Sequence, residues 1–295
     1  MSTITRVFVL LVSSMISWSS YANDIPFAAD ALRHLSQESQ YIVKAGEPVR
    51  LSSEAVSLDD PTRVPYALYY VRVQEVLKGD MAVESKIRVA LPESLNVRRV
   101  NELEDTILFV RQFSADDLEQ TNIPVGDPAY FVVGGRYGVV DARPDNRIEA
   151  ITEYIGSTRS EAVRGETVLT WTEKYLNSPD PFLQHSAVID LFYERSRPRA
   201  LEQLGAALRS NVVLPNVKQT AIQALGASGA AAAAQLLREI AEDEKVQRRL
   251  REAAVKAFQN VPGGSDQLLR WSEMGHTVLS PAAQSTIRAL QERIR

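Results

Sequence analysis

The sequence predicts a two-domain protein, an N-terminal antiparallel β-barrel or sandwich module followed by a C-terminal all-α solenoid. Three observations predict it. The first half consists of short runs with a two-residue hydrophobic period, separated by turn residues. The second half is rich in alanine and leucine, and one helical pattern recurs in it at near-constant spacing. Charge also changes sign between them. Residues 23–157 carry 14 Lys+Arg against 22 Asp+Glu, and residues 158–295 carry 18 against 15.

The first element is a targeting segment. Met1–Ala22 has one charge, Arg6, followed by the apolar run Val7–Ile16 and small residues at Ser20 and Ala22. This is the pattern of a secretory signal cleaved between Ala22 and Asn23. The apolar run is half the ~20 residues that a membrane span needs. The chain has no cysteine, so lipoprotein anchors, disulfides and thiol chemistry are excluded. A soluble periplasmic or secreted bacterial product is expected, stabilised by burial alone, with no stable membrane insertion. The net charge of −4 argues against a general nucleic-acid binder.

The acidic domain, residues 23–157, opens with a short helix over Phe27–Ser39. Brief strands follow at Tyr41–Val43 and Val49–Leu51. Leu68–Val76 places Tyr69, Val71 and Val73 on one face, and Lys86–Leu91 does the same with Ile87, Val89 and Leu91. Thr106–Val110 is apolar on both faces, as a central strand is. Ala129–Val133 and Tyr137–Val140 flank Gly134-Gly135-Arg136, which reads as a hairpin connection. The succession of Val76–Gly79, Leu108–Val110 and Gly134–Gly138 resembles a β-module found in exported bacterial proteins. That resemblance covers residues 64–142 and implies a fold but no catalytic residue.

The second domain, residues 158–295, is expected to be the solenoid. Ala187-Val188-Ile189-Asp190-Leu191 recurs as Ala221-Ile222-Gln223-Ala224-Leu225 and as Ala254-Val255-Lys256-Ala257-Phe258. These blocks end first helices at Phe182–Phe192, Val217–Leu225 and Val246–Phe258. Second helices follow at Ala200–Leu208, Ala230–Ile240 and Asp266–Trp271. Stacked helix pairs of this length form α-solenoids. Ala162–Leu176 and Pro281–Ile294 are expected to be end helices. Val217–Gly226 carries the closest resemblance to HEAT repeats, of the short type also seen in phycobilisome lyases. That resemblance covers residues 180–275 and implies architecture without importing lyase activity.

Chemical motifs are sparse. His34, His185 and His276 lack the spacing of a metal site, and no nucleotide, nucleophile-elbow or EF-hand pattern occurs. No metal or cofactor is therefore expected. Asp59-Asp60 and Asp116-Asp117 read as loop charges, with a catalytic role in a hydrolase or transferase as the alternative. A secreted protease inhibitor using the β-module loops is another. The leading reading is a non-enzymatic adaptor. The second helices repeat a Leu-Arg pair, ending in Arg209, Arg238 and Arg270. Two of these pairs lie in identical Gln-Leu-Leu-Arg segments that begin at Gln235 and Gln267. Stacked in register, these residues would form an arginine ladder for a protein partner with an acidic surface.

Overall fold

The computed structural model describes residues 31–51, 66–92, 105–115, 118, 123, 127–144, 146–158 and 164–294. The signal segment, Asp59-Asp60 and Asp116-Asp117 lie outside the described residues. The chain divides into two compact units, residues 30–194 with 209–217, and residues 195–208 with 218–295.

The first unit begins with helix α1 (Leu32–Glu38) and strands β1 (Tyr41–Arg50), β2 (Tyr66–Lys78), β3 (Lys86–Pro92), β4 (Thr106–Gln112), β5 (Ala129–Val132) and β6 (Val139–Asp141). Their order is β1-β2-β3-β5-β4-β6, and an additional β1–β4 pairing closes a five-stranded barrel. The two brief runs near residues 41 and 51 form one strand, β1, with register shifts along its β2 pairing. The pairs are antiparallel except β3 with β5, which run parallel. Alternation fills the barrel. Val43 and Ala45, Tyr69, Val71 and Val73, Ile87, Val89 and Leu91, Leu108 and Val110, and Tyr130 and Val132 form one core cluster. The outward residues Ile42, Ile107 and Phe109 are also fully buried, and α1 packs against β4 on that side.

The glycine-rich segment after β5 is not a hairpin. Gly135–Gly138 is a 3₁₀ turn, and β5 and β6 each pair with β4 along the same edge. Gly134 and Gly135 take positive φ, which moves the chain forward along β4 instead of folding it back. The turn admits no side chain at Gly138, where a Cβ would fall 2.0 Å from the Val133 carbonyl oxygen.

Three more helices complete this unit, α2 (Arg147–Thr158), α3 (Arg164–Tyr175) and α4 (Pro181–Tyr193). Helix α2 has no counterpart in the expectations above. It buries Ala150, Ile151, Tyr154 and Ile155, and the Trp171 indole N–H of α3 donates to its Ala150 carbonyl at 2.9 Å.

The second unit contains α5 (Pro198–Arg209), most of α6 (Pro215–Ser228), α7 (Ala231–Glu242), α8 (Arg248–Ala257), α9 (Gly264–Glu273) and α10 (Leu279–Ile294). The repeat alanines Ala187, Ala221 and Ala254 are fully buried, as are Leu191 and Leu225, with Phe258 nearly so. Small side chains at these positions let helices approach closely. Trp271 of α9 packs edge-on against Phe258 at 4.8 Å, and its N–H donates to Glu242 at 3.1 Å.

Candidate interaction surface

Each second helix buries one stripe and turns the rest outward. In α7 the buried residues are Ala233, Leu237 and Ala241. In α9 they are Gly264, Leu268 and Trp271. In α5 they include Ala200 and Leu204. Arg209, Arg238 and Arg270 are exposed, as is Gln235, whereas Gln267 is half-buried.

The register differs from that of a ladder. The identical Gln-Leu-Leu-Arg segments stand 32 residues apart, but the buried pairs Ala233/Leu237 and Gly264/Leu268 stand 31 apart. Leu237 is therefore 0% exposed, while Leu269, its counterpart in the tetrapeptide, is 52% exposed. One residue turns an α-helix by about 100°. Arg209, Arg238 and Arg270 stand five, one and two residues beyond the buried leucines Leu204, Leu237 and Leu268. All three point outward without occupying equivalent positions. The surroundings are mixed in charge, with Glu242 one turn from Arg238 and Asp266 one turn from Arg270. Gln235 is engaged within its own helix, donating to Glu239 at 3.1 Å.

The histidines do not gather. His34 is exposed on α1 and His185 is half-buried on α4. His276 has a structural task, since its Nδ1 accepts the backbone N–H groups of Val278 and Leu279 at 3.0 and 3.2 Å at the start of α10. Among the described residues no group of three or more His, Asp or Glu is placed to hold a metal ion. No helix among them is long and apolar enough to cross a membrane.

Residues 168–259 match the family model for HEAT repeats. The helices within that stretch are HEAT-like repeats. The match begins inside α3 and ends just after α8, so it takes in every copy of the repeated alanine block. No curated protein matches the chain. HEAT repeats serve as protein-interaction solenoids, and an outward face studded with Arg238, Leu269 and Arg270 is compatible with that use.

The polar network around α4, the helix that carries the first copy of the repeated alanine block, has no counterpart among the sequence motifs. Asp180 caps α4 by accepting from Phe182 N–H at 2.9 Å. It also receives both the Nε and Nη2 of Arg147, each at 2.6 Å. The same guanidinium donates to the Asp141 carbonyl of β6. At the other end of α4, the fully buried Asp190 accepts from the Tyr154 hydroxyl at 3.0 Å and from Arg33 of α1 at 3.1 Å. Burial raises the Asp190 carboxyl to about 6, against the pull of Arg33, Tyr154 and Arg164. A signal for Asp190 did exist in the sequence. Aligning the three repeat blocks sets it opposite Ala224 and Ala257, an acid at a position otherwise held by a small apolar residue.

Proposed function

We propose that the protein is exported after cleavage at Ala22–Asn23 and acts as a non-enzymatic adaptor whose HEAT repeats hold a partner protein. The observation that carries this reading is the HEAT match over residues 168–259, combined with second helices whose outer residues remain exposed. On this reading Arg238 and Arg270 contact an acidic surface of the partner as separate, charge-assisted donors. Arg209, at the end of α5, is a further candidate to be tested on its own.

The test places a photocrosslinking residue at Leu269 and, for comparison, at Tyr137 of the barrel module, in cells that make the protein. Capture of one defined protein from position 269 is expected, and no capture from 137. The double change Arg238→Ala/Arg270→Ala should weaken capture about tenfold or more while moving stability by less than about 0.5 kcal/mol. Leu225→Asp should abolish both capture and folding, because it buries an unpaired charge. Capture from the barrel alone, or capture indifferent to both arginines, would move the interaction surface elsewhere. N-terminal sequencing of the exported chain tests the cleavage, and a retained Met1 would end the secretion reading.

A further inference from the structure

Three helices of the repeat carry a long polar side chain at one shared position, three residues before the repeat alanine. It is Gln184 in α4, Lys218 in α6 and Arg251 in α8. In two of the three it ties its helix to neighbouring turns. The Gln184 amide donates to the Ser178 and Val212 carbonyls at 2.7 and 3.1 Å and accepts the Leu214 N–H at 3.0 Å. Arg251 Nε donates to the Ala241 carbonyl at 2.9 Å, and its Nη2 lies 3.3 Å from His276 Nε2. With these polar atoms bonded, both residues are buried, at 1% and 6% exposure.

The residues they reach share a position too. Leu214 and His276 stand seven residues before Ala221 of α6 and Ala283 of α10, both fully buried alanines. The residue seven before Ala254 of α8 is Gln247. The repeat therefore sets Gln247 opposite Lys218, as it sets Leu214 opposite Gln184 and His276 opposite Arg251.

At this middle junction the bond is missing. Lys218 is half-buried, and no described residue accepts a hydrogen bond or an ion pair from it. Burial lowers the pKa of its ammonium, and no charged neighbour among the described residues offsets that. The ammonium has given up water without gaining an acceptor, which is unfavourable. It also stands in the first turn of α6, where the helix dipole disfavours a cation and no acidic residue is present. Gln247 is exposed and neutral. Asp243, in the same turn, is directed at its own backbone, accepting the Lys245 N–H at 2.9 Å.

We propose that the junction between the second and third copies of the repeat is a seat for one carboxylate, supplied by an acidic residue of the protein that the solenoid holds, with Lys218 as its charged donor and the Gln247 amide as its neutral one. The source of the carboxylate rests on the adaptor reading; the seat itself does not. Lys218, Lys245 and Gln247 all belong to the second unit, and the exposed Lys245 adds positive charge in the turn that carries Gln247. One ammonium beside one amide matches the single charge and two oxygens of a carboxylate. Arg251 and Arg248 of α8 are already engaged, by the Ala241 carbonyl and by Glu252 at 2.8 Å.

The test uses the unaltered full chain and needs no partner. Lysine is labelled with carbon-13 at Cε, and the chain is titrated at fixed ionic strength with three probes. These are the peptide acetyl-Ala-Glu-Ala-amide, its Gln counterpart and inorganic phosphate. K218R removes the Lys218 signal, keeps the charge and so assigns that signal. The Glu peptide is expected to shift the Lys218 signal saturably. Half-saturation should come at a concentration about tenfold or more below that for Lys256, exposed on α8. The Gln peptide is expected to leave the signal in place. No selective shift at Lys218 overturns the seat. A phosphate shift with half-saturation as low as that of the Glu peptide overturns its assignment to a protein carboxylate. The titration reads Lys218 alone, whereas capture in cells reads Arg238 and Arg270, so either reading can fall while the other stands.

Discussion

Gly226 lies against Ala257 so closely that a Cβ placed on it would fall 2.8 Å from the Ala257 Cβ and 3.0 Å from the Ala257 carbonyl oxygen. Two turns of α6 and α8 meet backbone to backbone at this point. The same repeat position is Phe192 in α4 and Gln259 after α8, so the glycine is particular to this copy of the repeat.

Gly226→Ala should therefore destabilise the protein by about 1–3 kcal/mol, because the clash includes backbone that cannot swing aside. Gly156→Ala is the matching control. Its Cβ would enter open space near the end of α2, and the change should stabilise by about 0.5–1 kcal/mol. Urea unfolding of both variants checks the contrast. Equal effects of the same sign would mean that helical propensity, not contact, governs position 226.

The Arg147–Asp180 pair should behave as a buried, bidentate unit. Removing one partner, as in Arg147→Met or Asp180→Asn, should cost about 3–5 kcal/mol by stranding the other inside the protein. The double variant should cost clearly less than the sum of the two. A double-mutant cycle by thermal or urea unfolding measures the coupling, and additive losses would contradict it.

Lys78 should matter to α1 more than to the barrel. Burial lowers the pKa of its ammonium, which nonetheless donates to two carbonyls at the end of α1. Lys78→Met should keep the packed stem and lose the donors. Amide exchange in residues 35–39 should accelerate about tenfold or more, with little change in the core of β2 and β3. Uniform acceleration across the unit would show that Lys78 supports the barrel instead.

Gly79→Ala, next along the chain, should be worse. Gly79 has φ +95°, and an added Cβ would fall 2.3 Å from the Tyr41 ring. A loss of about 2 kcal/mol or more is expected from backbone strain and clash together, measurable as a lower midpoint of urea unfolding.

Global stability should also report on Asp190. Its folded value, about 6, lies above the ordinary 3.8, so the folded chain binds more protons than the unfolded chain between those values. This contribution is fully present below about pH 4 and is lost as pH rises through 6, an effect on the order of 2–3 kcal/mol. Unfolding free energies of the native chain and Asp190→Asn, compared from pH 4 to 7, should diverge in slope over that window. Parallel curves would place the titrating group elsewhere.

The sequence by itself determined the class of each half. Alternation along Leu68–Val76 and Lys86–Leu91 needs only the two-residue pleat of a strand, and the buried faces of β2 and β3 are the predicted ones. The recurrent alanine block likewise needs only helical spacing, which is why Ala187, Ala221 and Ala254 are legible in advance and lie fully buried. Tertiary structure decided which elements meet. The glycine-rich turn after β5 has hairpin composition, but β4 offers pairing to both flanking strands and overrides it. The arginines share a tetrapeptide, yet the packing of α9 shifts its buried stripe by one residue and rotates Arg270 away from the position of Arg238. The network that joins α4 to β6, α1 and α2 rests on pairs such as Arg147–Asp180 and Arg33–Asp190, separated by 33 and 157 residues. Local periodicity carries no record of contacts at such distance, because they depend on how whole elements pack and not on the order of their side chains.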